Sequence, residues 1–329
     1  MTSWVELEPV ITQIGIYAIL ALSLNVICGM TGMLQLGQAG FAAIGAYAAG
    51  LTAIYCTFPE LGFFNLFIGI AVAVTATGAA SMLIGVPCLR LRGDYLAIAT
   101  LGFGEIVRLT LNLLQFPGGK MFPGEKIGGC TGISFTEFPS DVWPNLPESL
   151  WGNNPELFAR YSSWWVVWIF VIVTWIILLN IKKSSFGRAM MCIREDEIAA
   201  QSMGINIWKY KILAFLIGAA FAGLAGALFF HKEVTIAPSQ FQLMVSIEIL
   251  LMVVLGGLGS LTGSIGGAIL LGITPFILRR LEIAEYTQLI YALLLIVLIR
   301  LMPNGILGMK EMPGWLSGKI NSKKQRESS

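Results

Sequence analysis

The sequence predicts an all-α polytopic membrane protein, and three observations carry that expectation. The 329 residues are 56% hydrophobic and only 12% charged, with 37 glycines and a mean hydropathy of +0.77. A soluble domain carries roughly 25% charged residues, so too little polar surface is present to keep this chain in water. Apolar runs long enough to cross a bilayer as helices recur along the chain, whereas barrel strands would read as short alternating segments. Most Lys and Arg fall in a few connecting stretches, the pattern that orients spans in a membrane. Together these exclude a cytosolic enzyme and a disordered tail. A net charge of +2 offers no basic field for phosphates and excludes a nucleic-acid binder.

Apolar runs fall at about 10–28, 38–56, 64–86, 95–115, 162–181, 211–230, 242–258, 263–279 and 286–302, about nine segments within a range of eight to ten. The first has no basic flank before it and no small-residue cleavage site after it, so it reads as a retained span. The first two charges are Glu6 and Glu8, and no Lys or Arg precedes Arg90, which puts the N-terminus outside. Arg90 and Arg92 after the third run read as inside. Segment 117–160, with five acidic and three basic residues, reads as outside. Segment 182–211 holds Lys182, Lys183, Arg188, Arg194, Lys209 and Lys211 and reads as inside. The tail, with Lys310, Lys319, Lys323, Lys324 and Arg326, does too. Nine crossings satisfy all of these, and Arg279 and Arg280 alone fall outside against the rule. The organisation expected is a membrane domain over 1–309 and a polar cytoplasmic tail over 310–329. Segment 117–160 is long for a structureless loop and is expected to cap the membrane domain or contact another molecule.

Cys28, Cys56, Cys88, Cys130 and Cys192 are odd in number and show no C-x-x-C pair. They read as small buried hydrophobes. The single histidine, His231, reads as a helix-end residue, since one histidine builds neither a metal site nor a Ser-His-Asp site.

Residues 189–203 read as a helix on the inner side, with Ala189, Ile193, Ala200 and Met203 near one face and Gly204 as its C-cap. On physical grounds such an element is either an ordinary solvated loop or a helix that docks into a partner. Within the membrane, Glu105 and Arg108 are spaced to pair on one helix face. Asp94 serves as N-cap or first-turn acid of the same span. Glu248 has no ionisable neighbour on its own helix, so it needs a partner elsewhere, water, or a proton. Two glycine clusters interrupt apolar runs: Gly29, Gly32, Gly37 and Gly40, then Gly256, Gly257, Gly259, Gly263, Gly266 and Gly267. Small residues of this kind allow tight packing, and broken helices expose backbone groups that could meet a zwitterion. Asn25, Gln35, Gln38 and Ser264 are uncharged polar groups beside them that could face a path.

Several strings are specific. Gly187 to Asn206 reads G-R-A-M-M-C-I-R-E-D-E-I-A-A-Q-S-M-G-I-N, with A-A-x-x-x-G at Ala199, Ala200 and Gly204. It resembles the cytoplasmic loop of ABC importer permeases, and the wider string resembles permeases for branched-chain amino acids of the M type. The stretches Leu24 to Tyr47, Leu89 to Arg108, Gly128 to Ile133 and Val254 to Ala268 match that family in type and order, so the resemblance covers about residues 20–310. Two departures stand out: Gln38 where the family often has His, and Ile198 where the importer loop has Glu.

The resemblance implies a membrane-spanning subunit that couples through Arg194, Glu195, Asp196, Glu197, Ala199, Ala200 and Gly204 to an ATP-binding subunit. It further implies two such ATP-binding subunits carrying ATP and Mg, a homologous second permease and an extracytoplasmic binding protein. It places the chain in a bacterial inner membrane, transporting leucine, isoleucine and valine, with urea, small amides or other neutral amino acids as the alternative cargo. No cofactor is expected in this chain. A phosphate loop needs G-x-x-x-x-G-K-[ST], and neither Gly119-Lys120-Met121 nor Gly318-Lys319-Ile320 supplies it. Candidate path residues are Asn25, Gln35, Gln38, Glu105, Arg108, Glu248 and Ser264. The rival class is a stand-alone ion-coupled secondary carrier using Glu105, Arg108 and Glu248. It would have no need of a docking helix.

Overall fold

The computed structural model describes residues 2–56, 64–91, 93–117, 126–134, 163–233, 235–282 and 284–301. The polar tail and most of segment 117–160 lie outside the described residues. All nine apolar runs fold as helices: α1 Thr2–Asn25, α2 Gln38–Cys56, α3 Phe64–Cys88, α4 Asp94–Leu113, α5 Ser163–Lys183, α8 Ile207–Lys232, α9 Leu243–Gly256, α10 Leu261–Arg280 and α11 Thr287–Leu301. Two short helices, α6 Ser185–Glu195 and α7 Glu197–Ser202, lie between α5 and α8. Among the described residues six spans are long and apolar enough to cross a membrane, the first being Leu7–Met30, where a π-helical turn continues α1. α2, α9 and α11 are not among them, and α9 is the shortest of the three. Its 14 residues end at Gly256, and the following Gly257, with φ of 109°, turns the chain out of the helix. At 1.5 Å per residue it is about 21 Å long, short of a hydrocarbon core of about 30 Å.

Large apolar side chains cover the outer faces of α3, α4 and α5. Leu83 is 79% and Leu113 84% exposed, and Ile98, Ile106, Ile172 and Ile176 point outward too. Without water to avoid, such faces are at rest against lipid. Inside, α8 packs on α2 and α3, and α1 packs on α5, α8 and α10. The α2–α8 contact is built on small residues. A Cβ at Gly45 would strike the backbone of Gly223, and one at Gly226 would strike Ala42 and Ala46. Such backbones can approach closely enough for dispersion contacts to replace the missing hydrophobic drive in lipid. Phe41 closes the core, with ring centroids 5.0 Å from Phe103 and 5.5 Å from Phe215.

Two features depart from an all-α expectation. β1 Gln115–Pro117 pairs antiparallel with β2 Lys126–Gly128, and β3 Ile133–Ser134 pairs with β4 Thr235–Ile236. The string Gly128 to Ile133 makes the corner between them. Gly128, Gly129 and Gly132 have φ of 99°, 74° and 77°, and a Cβ at Gly132 would strike the Ile236 carbonyl. The ladder ties the connection after α4 to the one after α8 at the end of the bundle away from α6 and α7. The second departure is in 189–203, which is not one helix. The chain breaks at Asp196, whose side chain accepts from the amides of Ile198 at 2.7 Å and Ala199 at 3.0 Å and so starts α7. Met203, expected on the buried face, is 83% exposed as a result, while Ala189, Ile193 and Ala200 are buried.

The cysteines only partly follow expectation. Cys28 is buried and Cys88 half-buried, but Cys130 and Cys192 are exposed. Asp94 is the first residue of α4 and lies in its first turn, while Gly93 occupies the cap position. His231 is the penultimate residue of α8.

Candidate functional site: a junction of two broken helices

The two glycine clusters, far apart in sequence, meet. Asn25 ends α1 and is wholly buried. Its Nδ2 donates to the Ser260 carbonyl at 2.8 Å and to Ser264 Oγ at 2.7 Å, and its Oδ1 accepts from the Gly259 amide at 2.8 Å. One side chain thus satisfies backbone groups freed where the helical ladder stops between α9 and α10, as buried polar groups require. Gly29 makes room for it, since a Cβ there would collide with Asn25 Oδ1 and the Gly259 amide. Asn25 and Ser264 are committed to each other in this conformation. They can face a path only if the junction opens.

Two cations close the junction from the α6–α7 end. Arg194, in the last turn of α6, donates from a guanidinium nitrogen to the Gly29 carbonyl at 2.6 Å. Lys182, in the last turn of α5, donates from Nζ to the Gly259 carbonyl. A charged donor on a freed carbonyl is a strong hydrogen bond. Gly32 and Gly259 pack directly against the Arg194 side chain. The helix that carries Arg194 is therefore bonded to the broken end of α1, and its neighbour Lys182 to the break between α9 and α10. The sequence flagged Arg194 as a docking residue and a topology marker, and Lys182 as a topology marker alone. Neither spacing nor periodicity points from them to glycines 77 and 165 positions away.

The remaining residues of the A-A-x-x-x-G string divide by direction. Glu197 pairs with Lys211 on α8, and Asp196 is spent on capping. Glu195 and Ala199 are exposed, and Ala200 is buried. Gly204 ends α7 with φ 80°, and the Ile205 amide reaches back to the Ala200 carbonyl at 3.1 Å. Ile198 and Met203 are left 79% and 83% exposed at this end.

Between the π-helical turn and α2, residues 32–37 are not helical. Their neighbours satisfy the backbone: the Leu36 amide donates to Thr100 Oγ1 at 3.1 Å and the Ala39 amide to Ser246 Oγ at 3.0 Å. Gln38 Nε2 donates to Ser23 Oγ, but its Oε1 has no partner among the described residues. Gln35 is wholly buried, and neither atom of its amide has a hydrogen-bond partner among the described residues. An orphaned buried amide marks a place where water, solute or a rearranged backbone must meet it.

Glu105 and Arg108 form a three-apart ion pair on α4, with Arg108 Nε donating to both carboxylate oxygens at 3.1 and 2.9 Å. They lie away from the junction. Glu248 lies apart from both, in a cleft of about 660 Å³ bounded by α1, α8, α9, α10 and α11.

Apolar helices of this length and number are those of a multi-pass membrane protein. The sequence profile of the branched-chain amino acid transport system permease component family matches residues 7–299, and the chain belongs to that family. It is 37% identical over 304 residues to the high-affinity branched-chain amino acid transport system permease protein LivM of Salmonella typhimurium, covering 91% of this chain and 69% of that one. It is also 37% identical over 300 residues to LivM of Escherichia coli, covering 89% and 68%. The LivH permease of Escherichia coli is 33% identical over 185 residues, 55% of this chain and 60% of LivH. No solved structure matches the chain.

Proposed function

We propose that this chain is one membrane-spanning subunit of an ATP-driven ABC importer for branched-chain amino acids. The observation that carries the reading is the identity to two LivM permeases over about nine-tenths of the chain. In this reading the protein sits in a bacterial inner membrane with its N-terminus outside and its C-terminus in the cytoplasm, crossing about nine times. It pairs with a homologous second permease, with two ATP-binding subunits that supply ATP and Mg, and with an extracytoplasmic binding protein that selects the cargo. Lipid surrounds it, and nucleic acid is no partner. ATP hydrolysis belongs to the partners.

The α6–α7 element is the coupling element of this reading. Exposed Glu195, Ile198, Ala199 and Met203 meet the ATP-binding subunit, and Asp196, Ala200 and Gly204 hold the element's shape. Arg194 carries its movement to Gly29. Opening of the Asn25 junction frees Asn25 and Ser264 and brings the Gln35 amide and the Gln38 carbonyl oxygen to the passing solute. The test is extraction of the tagged protein from its native membrane in mild detergent, followed by identification of what travels with it. Stoichiometric ATP-binding subunits and a sister permease are expected. A folded protein that travels alone under several mild conditions overturns the reading in favour of a stand-alone carrier.

A further inference from the structure

We propose that the cleft floored by Glu248 is a binding site for a free α-amino acid, with the ammonium group on the Glu248 carboxylate and the carboxylate group toward Arg279. The proposal rests on the permease reading and names the contact that reading leaves unassigned.

Glu248 lies on α9 within an apolar run, yet it makes no hydrogen bond or salt bridge among the described residues. A carboxylate at membrane depth is costly unless a counter-charge or water meets it. The space it faces is about 660 Å³, within the ~300–1,000 Å³ range of small-molecule sites.

The lining supplies the other parts. Tyr17 and Tyr291 share the cleft with Glu248. The Tyr291 hydroxyl donates its proton to the Leu271 carbonyl at 3.0 Å, so its oxygen remains free to accept. Carboxylate oxygens together with a hydroxyl oxygen suit the several N–H donors of an ammonium group. Val10, Pro275 and Phe276 line the same cleft and are partly exposed, an apolar surface for an aliphatic side chain. Arg279, two turns beyond Leu271 along α10, is exposed in the same cleft and makes no hydrogen bond or ion pair among the described residues. Anionic Glu248, an apolar wall and the exposed cation Arg279 are the three complements of an aliphatic zwitterion; of the other cations in the lining, Lys232 pairs with Glu233 at 3.0 Å and Arg280 lies over the Phe276 ring. A metal ion fits poorly, since no group of three His, Cys, Asp or Glu occurs among the described residues.

The test is a footprint on the full-length protein in nanodiscs. A hydrophobic carbodiimide reacts with Glu248, and mass spectrometry reads the modified peptide. Leucine at 10 mM or above is expected to slow modification by about tenfold or more, matching about 1.4 kcal/mol of protection. Isopentylamine is expected to protect partially, and N-acetylleucine and 4-methylpentanoate not at all. Arg279→Gln is expected to weaken protection by leucine but not by isopentylamine. Equal protection by N-acetylleucine, or none by leucine, overturns the proposal. So does modification that is blocked without solute in phosphatidylethanolamine nanodiscs and restored in phosphatidylglycerol, because a lipid headgroup then holds the site. Glu248→Gln, checked for the same elution and melting profile, confirms the modified position. The footprint needs no partner subunit. Its failure is therefore separate from failure of the importer reading, which co-extraction of the ATP-binding subunits decides.

Discussion

Arg194 and Gly29 are bonded across 165 residues of chain, guanidinium to carbonyl at 2.6 Å. The bond joins a helix outside the apolar spans to the point where α1 loses its regular hydrogen bonding. Gly29 is in turn packed against Asn25, which stitches the second break at Gly259 and Ser260. A displacement of α6 therefore cannot leave either break undisturbed, because interior packing is close and transmits strain.

Arg194→Ala removes the latch while leaving the spans intact. Uptake by the assembled transporter is expected to fall at least about tenfold, the loss of a charged hydrogen bond worth ~1.5–3 kcal/mol. Membrane abundance should change little. Arg194→Lys keeps a cation and is expected to retain part of the uptake. Uptake of labelled leucine normalised to immunoblotted protein checks both. Full uptake in the alanine variant removes Arg194 from coupling.

Asn25→Ala deletes three buried hydrogen bonds and strands the Gly259 amide. A loss of about 3 kcal/mol or more is expected. Asn25→Asp keeps the acceptor, loses the donors to Ser260 and Ser264, and buries a charge. It is expected to be at least as damaging as alanine. Thermal unfolding of the purified protein in detergent compares the two.

The α6–α7 surface separates docking from shape. Ile198→Asp changes an exposed side chain and is expected to reduce co-purification of the ATP-binding subunit without lowering the chain's own melting temperature. Ala200→Lys forces a long cation into a buried position and is expected to lower both. Co-purification combined with melting curves distinguishes them. Gly204→Ala meets no neighbouring atom, so only the cost of φ 80°, about 1–2 kcal/mol, is expected.

Glu105 and Arg108 test as a pair. Either single alanine substitution leaves a charge without its partner on a span, so each is expected to destabilise more than Glu105→Ala with Arg108→Ala together. A double-mutant cycle on melting temperature measures the coupling. Additive effects show that the pair contributes nothing.

Much of the architecture is legible in the sequence because it is local. Runs of about twenty apolar residues must satisfy their own backbone in lipid, so each becomes a helix wherever it lies in the chain. Caps are local too: Ser184 accepts from the Gly187 amide, and Asn206 from the Lys209 amide. Gly204 ends α7 as its position after Ala199-Ala200 predicts. The pairing of Glu105 with Arg108 follows from a three-residue spacing on one helix. The break at Asp196 was open to the same kind of reading, because an Asp followed by Glu-Ile-Ala-Ala is a helix start as well as a helix interior.

The junction was not legible in this way. Asn25, Gln35, Gln38 and Ser264 could be flagged as polar residues beside glycines. Nothing in their spacing told Asn25, fully bonded, from Gln35, whose side-chain amide has no partner among the described residues. Composition determined that this chain enters a membrane as helices, and its ordered strings determined its family. Which broken ends face each other, which cations close them and which carboxylate is left in an open cleft were decided only by the tertiary structure. Those contacts join residues far apart in sequence, and they depend on how helices approach through their small residues, which no local periodicity encodes.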